Sequence, residues 1–177
     1  MKLLKYILAL CITISISSCS NNNSDVPFFE LSKTNIAGTY NIKSLSTNAK
    51  ASALVSNLSV PVSTATSLGE TFQVNFSLNA DGTYIVSGSY VLASTITPSG
   101  LTPIKETTII SLEDSGSYEI DTIDSTITFY SSKENFIKGT FKVLVFNETT
   151  FYLTQDIEEE VGQITTAIKT NISFTRN

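Results

Sequence analysis

The chain has 177 residues, a formal net charge of −5, no histidine, no tryptophan and two cysteines. Net acidity argues against a nucleic-acid partner, which needs a basic footprint. The lack of histidine excludes Ser-His-Asp and Cys-His nucleophile systems and the usual His/Cys zinc sites. With no G-x-S-x-G, Walker or G-x-G-x-x-G pattern either, enzymatic chemistry is restricted to carboxylates, lysines and tyrosines.

The chain starts basic, with Lys2 and Lys5, and continues in a mostly apolar run from Tyr6 to Ile16. That run is too short to cross a bilayer core, which takes about 20 residues. A basic start, a short apolar run and then small residues is the layout of a secretory signal, which stays out of the fold. The signal is assigned to residues 1–18. Ile16-Ser17-Ser18-Cys19 resembles the bacterial lipobox: an aliphatic residue, two small residues, then cysteine. The resemblance implies a diacylglycerol on the Cys19 sulfur, cleavage before Cys19 and acylation of the new amine. Two or three acyl chains anchor stably where one does not. The alternative is an ordinary signal peptide with an incidental cysteine. Loss of Cys11 with the signal leaves no cysteine pair for a disulfide.

Ser20, not aspartate, follows Cys19, which resembles the outer-membrane sorting choice and leaves the face of the membrane open. Residues 19–30 read as the lipidated cysteine and a flexible polar tether, and residues 31–177 as one domain of ordinary size. Removing Lys2 and Lys5 takes the formal charge from −5 to −7. That charge argues against an electrostatic membrane role beyond the lipid.

The domain is rich in Thr, Ser, Ile, Val, Phe and Tyr in alternation, the composition and period of strands. Gly38 to Ser46 is a first strand. Ser46 to Gly69 has no clear period and is expected as a long loop, a short helix near Ala51–Leu58, or an extra hairpin. Thr71 to Asn79 alternates with Phe72, Val74, Phe76 and Leu78 on one face. Asp81-Gly82 is a strong hairpin signal, and Thr83 to Leu92 returns, with Gly88 a candidate bulge or bend. Ile104 to Leu112 is a strand expected to turn at Asp114-Ser115-Gly116. Ser117–Asp121 with Ser125–Ser131, and Ile137–Phe146 with Thr150–Gln155, form further hairpins. Ile164, Thr166, Ile168, Thr170, Ile172 and Phe174 face one way in the last strand. The sum is an all-β, antiparallel up-and-down meander of eight or nine strands. Such meanders close into a barrel or stack as a β-sandwich.

Ile36-Ala37-Gly38-Thr39-Tyr40-Asn41-Ile42, Asp81-Gly82-Thr83-Tyr84, Gly116-Ser117-Tyr118 and Phe174-Thr175-Arg176 stand in an order that resembles lipocalin-like lipoproteins of the Bacteroidetes type. The resemblance spans residues 38–176 and implies an eight- to nine-stranded barrel able to hold one small ligand. It also implies that Arg176 lies over the Tyr40 ring and closes the barrel floor, worth about 0.5–2 kcal/mol as a cation–π contact. Tyr40 stands where classical lipocalins carry tryptophan, and no cysteine pair ties the C-terminus to the barrel.

The candidate lining for an apolar ligand is Tyr40, Phe72, Val74, Phe76, Tyr84, Tyr90, Ile168 and Ile172, each of which, taken singly, reads more readily as packed core. Asp156-Ile157-Glu158-Glu159-Glu160 is expected as a solvated turn, with Ca2+ binding its alternative. No metal, cofactor or catalytic residue is expected. The expected partners are the membrane, through the acylated N-terminus, and a small hydrophobic ligand in the barrel. The competing readings are an envelope interaction module with a filled core, binding glycan or protein through loops, and a carboxylate enzyme.

Overall fold

The computed structural model describes residues 29–131, 133 and 136–177. Cys19, the signal and most of the tether lie outside the described residues. One short helix, α1 (Lys33–Ile36), is capped by the Ser32 hydroxyl, which accepts from the Asn35 N–H at 3.2 Å. Eight strands follow: β1 (Gly38–Val55), β2 (Leu58–Leu78), β3 (Thr83–Pro98), β4 (Ile104–Asp121), β5 (Thr126–Ser131), β6 (Gly139–Phe146), β7 (Thr150–Val161) and β8 (Ile164–Arg176). Each pairs antiparallel with the next, and β8 pairs with β1, so the meander closes into a barrel-like ring. Closure sets aside the sandwich and leaves no edge strand at the level where all eight pair.

Two expectations fail for identifiable reasons, and a third resolves to one of its alternatives. The Ser46–Gly69 stretch is the hairpin, neither loop nor helix. β1 and β2 run through it as one long hairpin with Val55 opposite Leu58. Ser56 and Asn57 both have positive φ, 50° and 66°, the backbone of a two-residue type I′ turn. The expected turn at Asp114–Gly116 does not occur either, because β4 continues through it against β3, pairing Gly116 with Tyr84. Gly116 serves close approach instead: a Cβ there would stand 2.0 Å from the Tyr130 carbonyl oxygen. The acid run Asp156–Glu160 is not a turn but the upper half of β7, opposite Lys169 to Thr165.

Gly88 is confirmed as an irregularity. Its φ is +125°, and a Cβ would meet the Gln73 oxygen at 1.9 Å, beside the register shift between Glu70 and Gln73.

The strands differ greatly in length. β1, β2 and β4 have 18, 21 and 18 residues, whereas β5 and β6 have six and eight. The lower barrel is therefore a complete ring, and β7-β8-β1-β2-β3-β4 rise above it as an open six-stranded wall. The lower interior is filled by an aromatic plug. Phe76 stacks on Phe174 at 5.1 Å, Phe151 on Phe174 at 5.6 Å, and Tyr84 meets Phe129 edge-on at 5.5 Å. These offset and edge contacts are the favourable aromatic geometries.

Candidate functional site

The floor of the ring is built by α1 and the last strand. The Arg176 guanidinium lies 5.3 Å from the Tyr40 ring centroid and 5.8 Å from that of Phe29. It donates to the Tyr40 hydroxyl at 2.9 Å, to the Ala37 carbonyl at 3.0 Å and to the Asn35 carbonyl. Tyr40 in turn donates to the Ile36 carbonyl at 2.6 Å. The structure thus brings Tyr40 and Arg176 together, and Arg176 satisfies carbonyls that the short helix leaves without partners. Burial raises the Tyr40 phenol pKa, while the charge and hydrogen bond of Arg176 pull against that rise.

The other candidate lining residues divide by height. Val74, Phe76, Tyr84 and Ile172, like Tyr40, are buried in the lower plug. Phe72 and Tyr90 stack at 5.7 Å, and Tyr90 meets Phe136 at 6.3 Å. These three rings form the top of the plug. Ile168 stands higher, opposite Ala49 and Ile157, and borders a second recess of about 610 Å³ with Lys50, Asp156, Ala167 and Lys169.

Above the plug, inside the wall, lies an open recess of about 650 Å³. Leu45, Tyr90, Leu92, Phe136 and Phe141 give it an apolar base, and Ile157 adds an apolar side chain higher on β7. Thr47, Ser67, Thr170, Gln155, Glu159 and Lys138 give it a polar upper fringe. The register explains the division: Thr47 stands opposite both Ser67 and Thr170, one layer above the pairing of Leu45 with Ile172. A volume between about 300 and 1,000 Å³ suits a small molecule. An apolar base under a polar fringe suits an amphipathic one, tail down. Burial raises the Tyr90 phenol pKa, which keeps its hydroxyl neutral.

Two polar devices at the rim of the short strands escaped the sequence reading. Gln155 Nε2 donates to the Lys138 and Thr140 carbonyls at 3.0 and 3.3 Å. The amide stands in for a continuing strand where β6 begins. Asp114 is a buried carboxylate, 4% exposed, pointing into the barrel where β5 leaves β4. It accepts from Ser131 Oγ at 2.6 Å, the Ser115 N–H at 2.8 Å and the Tyr84 hydroxyl at 3.3 Å. Burial first, with Asp114 adding to it, holds the Tyr84 phenol up at about 12. So many donors fix the carboxylate as a structural acceptor. The signal for Asp114 was its phase, shared with Leu112 and Tyr118, which the turn-like Asp-Ser-Gly composition concealed.

Among the described residues no group of three or more Asp, Glu or Cys side chains is placed to hold a metal ion. No protein-family model, curated protein or solved structure matches the chain.

Proposed function

We propose that this chain is a lipid-anchored protein of the cell envelope that binds a small, largely apolar ligand in the recess above the aromatic plug. The observation that carries the binding reading is the recess itself, about 650 Å³ with its apolar base and polar fringe. The lipobox-like Ile16-Ser17-Ser18-Cys19 carries the anchoring. The ligand's apolar end rests on Tyr90, Leu92 and Phe136, and its polar end meets Thr47, Thr170 and Gln155. No chemical step is assigned to these residues; the reading is of a binding protein, not an enzyme.

The test is native mass spectrometry of protein extracted from its own cells without denaturant. A co-purifying mass that is lost when Leu92→Trp fills the recess supports the reading. Retention of the adduct in Leu92→Trp, or the lack of any adduct together with failure to bind a fluorescent fatty acid, refutes it. In the same spectra, wild type carries an acyl mass that Cys19→Ser lacks if the anchor is as proposed.

A second reading, an interaction module with a filled core, is favoured by one specific observation. The hairpin tips at the open end hold Leu58, Leu101 and Val161, which are 69%, 69% and 76% exposed. Three aliphatic tips at one end of a molecule are a contact surface in waiting.

A further inference from the structure

β4 pairs with β3 from Ser117 up to Ile104, yet β5 pairs with β4 only over Gly116–Asp121. Among the described residues, the stretch 104–115 therefore presents one strand edge with no neighbour. Its outward side chains are Lys105, Thr107, Ile109, Ser111 and Glu113, all exposed, with Ile109 74% exposed. The β3 residues beside them are Thr95, Ala93, Val91, Ser89 and Ser87, none of them charged. Neither Lys105 nor Glu113 has an ion-pair partner among the described residues, where the ion pair present joins Lys169 to Asp156. An unpaired edge of this length is a template for another strand.

We infer that this edge pairs antiparallel with the same edge of a second copy, about a two-fold axis through Ile109. Successive side chains alternate between faces, and a two-fold axis normal to the sheet keeps outer faces together. The axis must then pass through a residue, never between two. Centred on Ile109, the outer row matches itself. Lys105 stands opposite the second copy's Glu113 at both ends, Thr107 opposite its Ser111, and Ile109 opposite its Ile109. On the inner face Thr108 opposes Ile110 and Glu106 opposes Leu112, so no like charges meet. Centring on Thr108 places Lys105 opposite Ser111 and loses both charge pairs. Centring on Ile110 sets Glu106 opposite Asp114, two carboxylates face to face.

The length agrees independently. The Ile109 register uses residues 104–114, and each copy's β5 begins pairing only at Gly116, so nothing is displaced. A single shared edge is a small interface, and the dimer is weak and concentration-dependent. The inference does not rest on ligand binding, because the recess lies inside each copy.

The test combines sedimentation velocity on the purified full-length protein with cysteine cross-linking. Opposed residues in an antiparallel pair have Cβ atoms about 4.5–5.5 Å apart, near enough to bridge. Ile109→Cys is expected to form a disulfide-linked dimer under mild oxidation much faster than Leu101→Cys, an equally accessible control at a hairpin tip. Lys105→Glu and Glu113→Lys are each expected to weaken association about tenfold, since each turns two attractive pairs into repulsive ones. The double variant with the charges exchanged is expected to restore it. A monomer at every concentration, Ile109→Cys linking no faster than the control, or charge reversals without effect would each overturn the inference. Ligand retention by the charge variants separates its failure from that of the ligand reading.

Discussion

Replacing Arg176 by alanine removes the clamp on the barrel floor, and the structure gives the scale of the loss. The guanidinium satisfies the carbonyls of Asn35 and Ala37 and touches the Tyr40 hydroxyl. Without it, two carbonyls at the end of α1 lose their donor in a partly buried site, each worth about 1–3 kcal/mol. The Tyr40 ring also loses its cation, worth about 0.5–2 kcal/mol. Water reaches part of the vacated site, and the terms overlap, so the net loss is about 3 kcal/mol. For a domain of this size that lowers the melting temperature by about 6–12 °C. Urea unfolding followed by circular dichroism measures it: the midpoint falls and the slope stays constant. Arg176→Lys keeps the charge but its amine falls short of the position of Nη2, which makes all three bonds, and it offers no planar group over the Tyr40 ring, so it recovers less than half. A loss under about 1 kcal/mol for Arg176→Ala, or full recovery with lysine, refutes the account of a multidentate clamp.

Other substitutions test other parts of the fold. Asp114→Ala strands the Ser131 hydroxyl and the Ser115 N–H and is expected to cost about 2–3 kcal/mol in the same urea assay; a neutral result removes Asp114 from the core's polar framework. Gly88→Ala places a methyl against the Gln73 oxygen and is expected to cost about 3 kcal/mol or more, or to prevent folding, read as the yield of soluble protein and its midpoint. Burial holds the Tyr84 and Tyr118 phenols up at about 12, above the ordinary value of about 10. Between those values the folded chain holds more protons than the unfolded one. The corresponding stability is intact below about pH 10 and is lost as pH rises towards 12. Tyrosine absorbance at 295 nm is then expected to show these two phenols ionising only together with unfolding. Ionisation near 10 in the folded state contradicts their burial. The turn pair Ser56→Asn with Asn57→Gly suits a type I′ turn better and is expected to slow amide hydrogen exchange across Ala53–Val60, leaving the lower ring unchanged.

The lower half of the barrel was legible because its inward residues are large. Phe72, Val74, Phe76 and Leu78 alternate with polar residues, and Asp81-Gly82 marks the return. The upper wall obeys the same period with small residues. Ala49, Ala51 and Ala53 share the inner phase of β1 with Thr47, opposite Ala65, Ser63 and Val60 of β2. Alanine and serine differ too little in polarity for that alternation to stand out, so Ser46–Gly69 read as formless. Asp114-Ser115-Gly116 misled in the other direction. Turn-forming residues were used for burial and for close backbone approach, and only the pairing with β3 distinguishes the two. Of the candidate ligand residues, only Tyr90 reaches the recess. Height along a strand depends on its register with its neighbours, which a single sequence does not display.

The joining of β1 to β8 also governs how the chain reaches its native state. Tyr40 and Arg176 are 136 residues apart in sequence, and β1 has one neighbour, β2, until the last strand arrives. Each hairpin between consecutive strands closes locally and quickly. The ring-closing ladder brings the ends of the domain together, at the greatest loop entropy of any pairing in the fold. A chain made in N-to-C order therefore spends the whole of its synthesis as an open ribbon. It holds an unsatisfied β1 edge from Gly38 onward, and self-association competes with folding until residue 176 is released. Loss of β8 as a whole would leave that ribbon permanently open, because β1 pairs with it from Tyr40 up to Ala53.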